Sequence, residues 1–143
     1  MTYKRGASIP TTEHAEQSAV VDWAQAHIGK WPELDWLYAI INGIPLPGSM
    51  LQRVRIINYM KAEGLKPGVA DLCLPSARGG YFGMYLELKK KGGVIREGQG
   101  EFLAFVSEQG YFDSVCYSAD EAIEILTTYL NWPRTVAVKA KKG

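Results

Sequence analysis

The tightest constraint on this chain lies between residues 68 and 90, where two short apolar runs flank a glycine turn. The first run is Gly68-Val-Ala-Asp71-Leu-Cys-Leu74 and the second is Gly83-Met-Tyr-Leu-Glu87-Leu-Lys89, with Arg78-Gly79-Gly80 between them. Both are of strand length and bounded by turn residues, which predicts two strands. Side chains alternate faces along a strand, so Glu87 and Lys89 project together while Leu86 and Leu88 face the other way. Pairing as a hairpin lets Asp71 lie on the side of Glu87. Two carboxylates and one ammonium then converge on one sheet surface.

That trio suits a hard divalent cation. Magnesium takes oxygen ligands and is commonly held by one or two carboxylates together with a substrate phosphate. A metal so held polarises phosphorus and lowers the pKa of a bound water. A lysine beside it positions that water or offsets the charge that builds on the phosphoryl centre. The bland counterpart is a solvated Glu-x-Lys ion pair on an exposed strand, the commoner fate of so short a motif. The Gly-x-x-Asp on its own strand and the glycine pair move the reading toward chemistry.

Gly68-Val-Ala-Asp71-Leu followed by Tyr85-Leu-Glu87-Leu-Lys89 resembles the PD-(D/E)XK nuclease signature, and in detail its VRR-NUC branch, the virus-type replication and repair nucleases. Glu13-x-x-x-Gln17, Ala39-Ile-Ile-Asn-Gly43, Lys61-Ala-Glu-Gly64, Gln99, Gly110-Tyr111, Glu121-Ala122 and Tyr129-Leu130 agree with that branch, so the resemblance runs from residue 11 to 131. Ala70 replaces the branch's usual proline, and Ile44-Pro-Leu-Pro-Gly48 replaces a second glycine and an arginine. The resemblance implies an α/β fold with a central mixed sheet flanked by helices. It implies Mg²⁺ or Mn²⁺ held by Asp71 and Glu87, with the Leu88 carbonyl and an acid of the first helix. That acid is Glu13, one turn before Gln17, with Glu16 as the alternative. Lys89 would orient the attacking water and Gln99 would steady the site. Small stand-alone members of the branch resemble Holliday-junction resolvases and act as homodimers on structured DNA.

The rest of the chain is consistent with one domain of 143 residues, 47% hydrophobic and 22% charged, as in ordinary globular proteins. No apolar run is long enough to span a membrane, and Met1-Thr-Tyr-Lys-Arg-Gly6 has no secretory pattern, so a cytoplasmic protein of a bacterial or phage-infected cell is expected. Cys73 and Cys116 lie in apolar runs and read as reduced core residues. Residues 1–10 read as a flexible arm, 11–131 as the nuclease domain, and 132–143 as a basic tail or an extra strand. Thr11 or Thr12 caps a helix reaching about His27, and Ser49 caps another to about Glu63 whose apolar line is Leu51, Val54, Ile57 and Met60. Trp36 to Ile41 predicts a buried strand. A helix over Glu97–Gln109, a strand over Phe112–Tyr117 and a helix over Ala119–Leu130 follow, with Ser118 and Glu121 forming a capping box. The predicted order is α-β-α-β-β-α-β-α.

The net charge of +1 conceals a strong segregation. Residues 49–96 hold nine Lys or Arg against Glu63, Asp71 and Glu87, whereas residues 97–131 hold seven acids and no Lys or Arg. A chain divided this way can turn a basic face to a phosphate backbone. Arg53, Lys61, Arg78, Lys90, Lys91 and Arg96 are the candidate DNA contacts. The expected function is a Mg²⁺- or Mn²⁺-dependent DNA endonuclease, most naturally a homodimer acting on branched DNA. The competing expectation is a DNA-binding accessory protein that keeps the fold without cutting, and a lesser one is cleavage of RNA.

Overall fold

A computed structural model describes residues 12–41 and 45–142. The expected N-terminal arm, Thr11 and residues 42–44 of the proline loop lie outside the described residues. The elements are α1 (Glu13–Ala26), a 3-10 helix (Pro32–Trp36), β1 (Tyr38–Ala39), α2 (Met50–Ala62), β2 (Leu72–Leu74), β3 (Met84–Leu88), α3 (Glu97–Glu108), β4 (Phe112–Cys116) and α4 (Ala119–Asn131). Apart from the 3-10 helix this is the predicted order. The strands form one sheet in the order β1-β2-β3-β4. β1–β2 and β2–β3 are antiparallel and β3–β4 is parallel, so the sheet is mixed and α3 is the crossover that a parallel pair requires.

The helix starts follow from their caps. The Thr12 hydroxyl accepts the Ala15 N–H, and Ser49 and Gln52 bond reciprocally as a capping box. Ser118 accepts the Glu121 N–H, but the Glu121 carboxylate reaches one residue further back than expected, to the Tyr117 N–H. One face of the sheet presents Leu72, Leu74, Met84, Leu86 and Leu88 to Val20, Trp23 and Ala24 of α1 and to Ala122, Leu126 and Tyr129 of α4, forming the main core. The other face carries α3, whose Phe102 meets Tyr85 edge-on with ring centres 5.2 Å apart. Cys73 and Cys116 are buried and free, as expected.

One expectation needs correction. The run Trp36–Ile41 is not a buried strand. A proline-initiated 3-10 helix ends at Trp36, and only Tyr38 and Ala39 pair, at the sheet edge. Trp36 is 72% exposed and Ile41 58%, and it is Leu34, ahead of the run, that fills the core. An edge strand has one hydrogen-bonded neighbour only, and both Tyr38 and Ala39 are exposed. Of the two readings of residues 132–143, no further strand forms among the described residues. Trp132 packs among Tyr81, Phe112 and Tyr129, Arg134 forms an isolated bridge with Arg78, and no regular structure follows as far as residue 142. Among the described residues no helix is long and apolar enough to cross a membrane.

Glu16 shows why an acid can share a helix face with buried apolar residues. It is buried, and its Oε2 accepts the Ala119 N–H at 2.6 Å, satisfying a donor at the start of α4 that has no partner within that helix. Glu16→Ala strands that donor and is expected to cost about 1–3 kcal/mol, read as a lower urea midpoint with the same m-value.

Candidate active site

The antiparallel register of β2 and β3 builds the site. Leu72 pairs with Leu86, so the residue before one and the residue after the other, Asp71 and Glu87, stand opposite each other on the α3 face. Asp71 Oδ2 accepts the Leu88 N–H at 2.7 Å, which holds the carboxylate against the strand. The Lys89 N–H donates to the Cys116 carbonyl at 2.8 Å, extending the strand path past Leu88 and keeping Lys89 on the side of Glu87. Lys89 Nζ lies 3.5 Å from Glu87 Oε1, and both residues are buried.

The helix α3 supplies the fourth member. Gln99 Nε2 donates to Glu87 Oε1 at 2.8 Å, while Gln99 Oε1 accepts the Arg96 N–H at 3.1 Å, so both ends of the amide are fixed. Gly68 sets the distance between α3 and the lead-in to β2. Its φ is +87°, and a Cβ there would fall 2.9 Å from the Gly98 carbonyl group. Only glycine permits both that backbone angle and that approach. Glu13, at the start of α1, accepts the Lys90 N–H through Oε1 at 3.2 Å and lies on the same cleft.

The cleft has a volume of about 490 Å³. Asp71, Glu87, Lys89, Gln99 and Glu13 line it, and Lys61 and Arg96 also border it. Ile41, Leu46, Ile57, Met60, Leu65 and Pro67 line the remainder. Burial pushes the Glu87 carboxyl from 4.5 up to about 7, with the neighbouring Asp71 carboxylate adding to the effect and Lys89 opposing it. Asp71 is also raised by burial, against the pull of the Leu88 N–H and Lys89, with Glu13 adding a further push upward. Among the described residues no group of three or more His, Cys, Asp or Glu forms a metal cage. The carboxylates that line the cleft are those of Asp71, Glu87 and Glu13, and Leu88 is not among its lining residues.

Most of the residues singled out in the sequence therefore meet. Between the two candidate acids, Glu13 lines the cleft, while Glu16 is engaged at the α1–α4 contact. Lys90 and Lys91 are exposed on the turn that follows β3, and Arg53 is exposed on α2. Arg78 does not join them. It pairs with Glu33 at 2.8 Å and donates to the Trp132 carbonyl, holding the C-terminal segment to the 3-10 helix. Sequence reasoning missed the apolar wall, because Ile57 and Met60 carry the same periodic signal as residues that face a core.

The VRR-NUC domain model matches residues 11–120. The chain belongs to the VRR-NUC family. A solved structure of a VRR_NUC domain protein superposes with a TM-score of 0.73 at 23% identity, covering 90% of this chain and 95% of the other. No curated protein sequence matches. The VRR-NUC fold thus accounts for the mixed four-stranded sheet and its flanking helices.

The raised Glu87 has a consequence for the metal-free VRR-NUC domain. A carboxyl whose folded pKa exceeds its unfolded value binds more protons in the folded state, so stability falls as pH rises between the two values. With EDTA present, Tm should fall between about pH 4.5 and 7 through this group. Glu87→Gln should flatten that part of the profile, measured by thermal denaturation.

Proposed function

We propose that this VRR-NUC protein is a divalent-metal-dependent endonuclease that hydrolyses DNA phosphodiester bonds, acting on branched or otherwise structured DNA in replication, repair or recombination. The observation that carries this reading is the meeting of Asp71, Glu87 and Lys89 in one cleft bordered by Lys61 and Arg96. Asp71, Glu87, the Leu88 carbonyl and Glu13 are the donors for Mg²⁺ or Mn²⁺, ions that prefer hard oxygen ligands. Two carboxylates crowded beside one ammonium leave uncompensated negative charge in a poorly solvated place, which favours a cation there. Such an ion, when bound, supplies Lewis acidity at phosphorus and a more acidic water.

The chain's own residues do the remaining work. The Lys89 ammonium, held near Glu87, donates to the attacking water and offsets charge on the phosphoryl oxygens. Gln99 keeps Glu87 Oε1 in place from α3. Lys61 and Arg96 meet the flanking phosphates, with Lys90, Lys91 and Arg53 extending the basic surface.

A homodimer completes the reading. The 13 residues of α2 include none that is buried, and Met50, Leu51 and Val54 are 82%, 62% and 47% exposed. A helix of that length is marginal in water unless its apolar face is packed. A second copy seated on the Met50–Val54 end of this helix by twofold symmetry would cover those side chains, leave Ile57 and Met60 in the cleft, and present two clefts to one branched substrate.

Cleavage of labelled linear, flap, splayed and four-way DNA with Mg²⁺ or Mn²⁺ tests the function. Asp71→Asn, Glu87→Gln and Lys89→Ala should each lower the rate by at least about 10²–10³-fold, with DNA binding retained. DNA binding with no cleavage of any substrate under either ion would make the protein an accessory factor. Light scattering during size exclusion should give twice the mass of the 15.9 kDa chain, and Leu51→Glu with Val54→Glu should return it to a monomer.

A further inference from the structure

The cleft is chemically two-sided, and the nuclease reading explains only one side. Carboxylates, an ammonium and an amide are what a phosphodiester and its cation require. The aliphatic residues that share the cleft are not. Ile57 and Met60 from α2, with Leu46, Leu65 and Pro67 from the segments around it, face the same space as Asp71 and Glu87. None of these five is among the buried core residues. The backbone of an intact duplex offers such a wall little, since its outer surface is charged and hydrated and the apolar faces of its bases are stacked inside. A base removed from the stack has a free apolar face.

Charge and size fit the same occupant. Lys61 borders the cleft from the helix that carries Ile57 and Met60, and Arg96 borders it beside Gln99, so a phosphate can be met next to the wall. The volume of about 490 Å³ lies within the range of sites that take small organic molecules, and a single nucleotide is of that class. Resting on the nuclease reading above, we propose that the nucleotide next to the scissile phosphate is held out of the stack, with its base against the Ile57–Met60–Leu65 wall. The site thereby selects unpaired nucleotides, or ones it can flip, beside a duplex.

The test uses the full chain with Ca²⁺ in place of Mg²⁺, on DNA carrying 2-aminopurine at one position at a time through a short flap and the adjoining duplex. End-label anisotropy is followed in parallel. The wall has no aromatic ring to quench the probe, so binding should brighten it about threefold or more at one position near the duplex edge. Ile57→Ser with Met60→Ser should abolish that rise and weaken binding of the flap substrate about tenfold. Brightening confined to the flap identifies a requirement for unpaired DNA, whereas brightening within a fully paired duplex identifies flipping. Binding by anisotropy with no position brightened overturns the proposal and leaves the nuclease reading standing. A rise that survives the double replacement overturns it equally, because the base then sits elsewhere. No anisotropy change with any DNA removes both.

Discussion

Two carboxylates kept side by side, largely out of reach of water, are the condition that the rest of this architecture serves. Burial first, and the neighbouring Asp71 carboxylate second, push the Glu87 carboxyl up to about 7. The fold tolerates the pair by giving each acid a donor of its own. A strand amide serves Asp71, and Gln99 together with Lys89 serves Glu87. Two of these donors, the Leu88 amide and the Lys89 ammonium, stand at the end of β3 and the third on α3, so the site exists only where β2, β3 and α3 are correctly assembled. Gly68 against Gly98 is the contact that lets the helix come close enough.

The two ends of the sheet carry different burdens. At one end polar groups gather around Glu87. At the other, Tyr81, Phe112, Tyr129 and Trp132 interlock with ring centres roughly 5 to 6.5 Å apart, and Glu33 grips Arg78. Tyr129 also donates its hydroxyl to the Ser76 carbonyl at 2.6 Å, tying α4 to the loop after β2. None of these residues lines the cleft.

Much of this was legible from residue order. Period-two alternation fixed the side on which Glu87 and Lys89 emerge, and hairpin pairing brought Asp71 to them. Thr12, Ser49 and Ser118 marked helix starts through a cap whose physics is local. What failed was whatever depended on neighbours. The run Trp36–Ile41 is apolar enough for a core strand, yet its place at the sheet edge leaves it open. Arg78 carries the right charge for DNA, and topology delivers it to Glu33 instead. Glu13 and Glu16 are both first-turn acids, and only the packing of α1 on α4 separates their roles. The parts of the site drawn from family resemblance, Gln99 and Glu13, acquire a physical reason once α3 and α1 are docked.

The sparse attachment of α2 has a mechanical result. This helix makes little contact with any other helix or strand, while β2, β3, α3 and β4 adhere closely to one another. The acidic half of the cleft is thus built on closely packed strands and α3, whereas Ile57 and Met60 stand on a helix that the rest of the sheet scarcely grips.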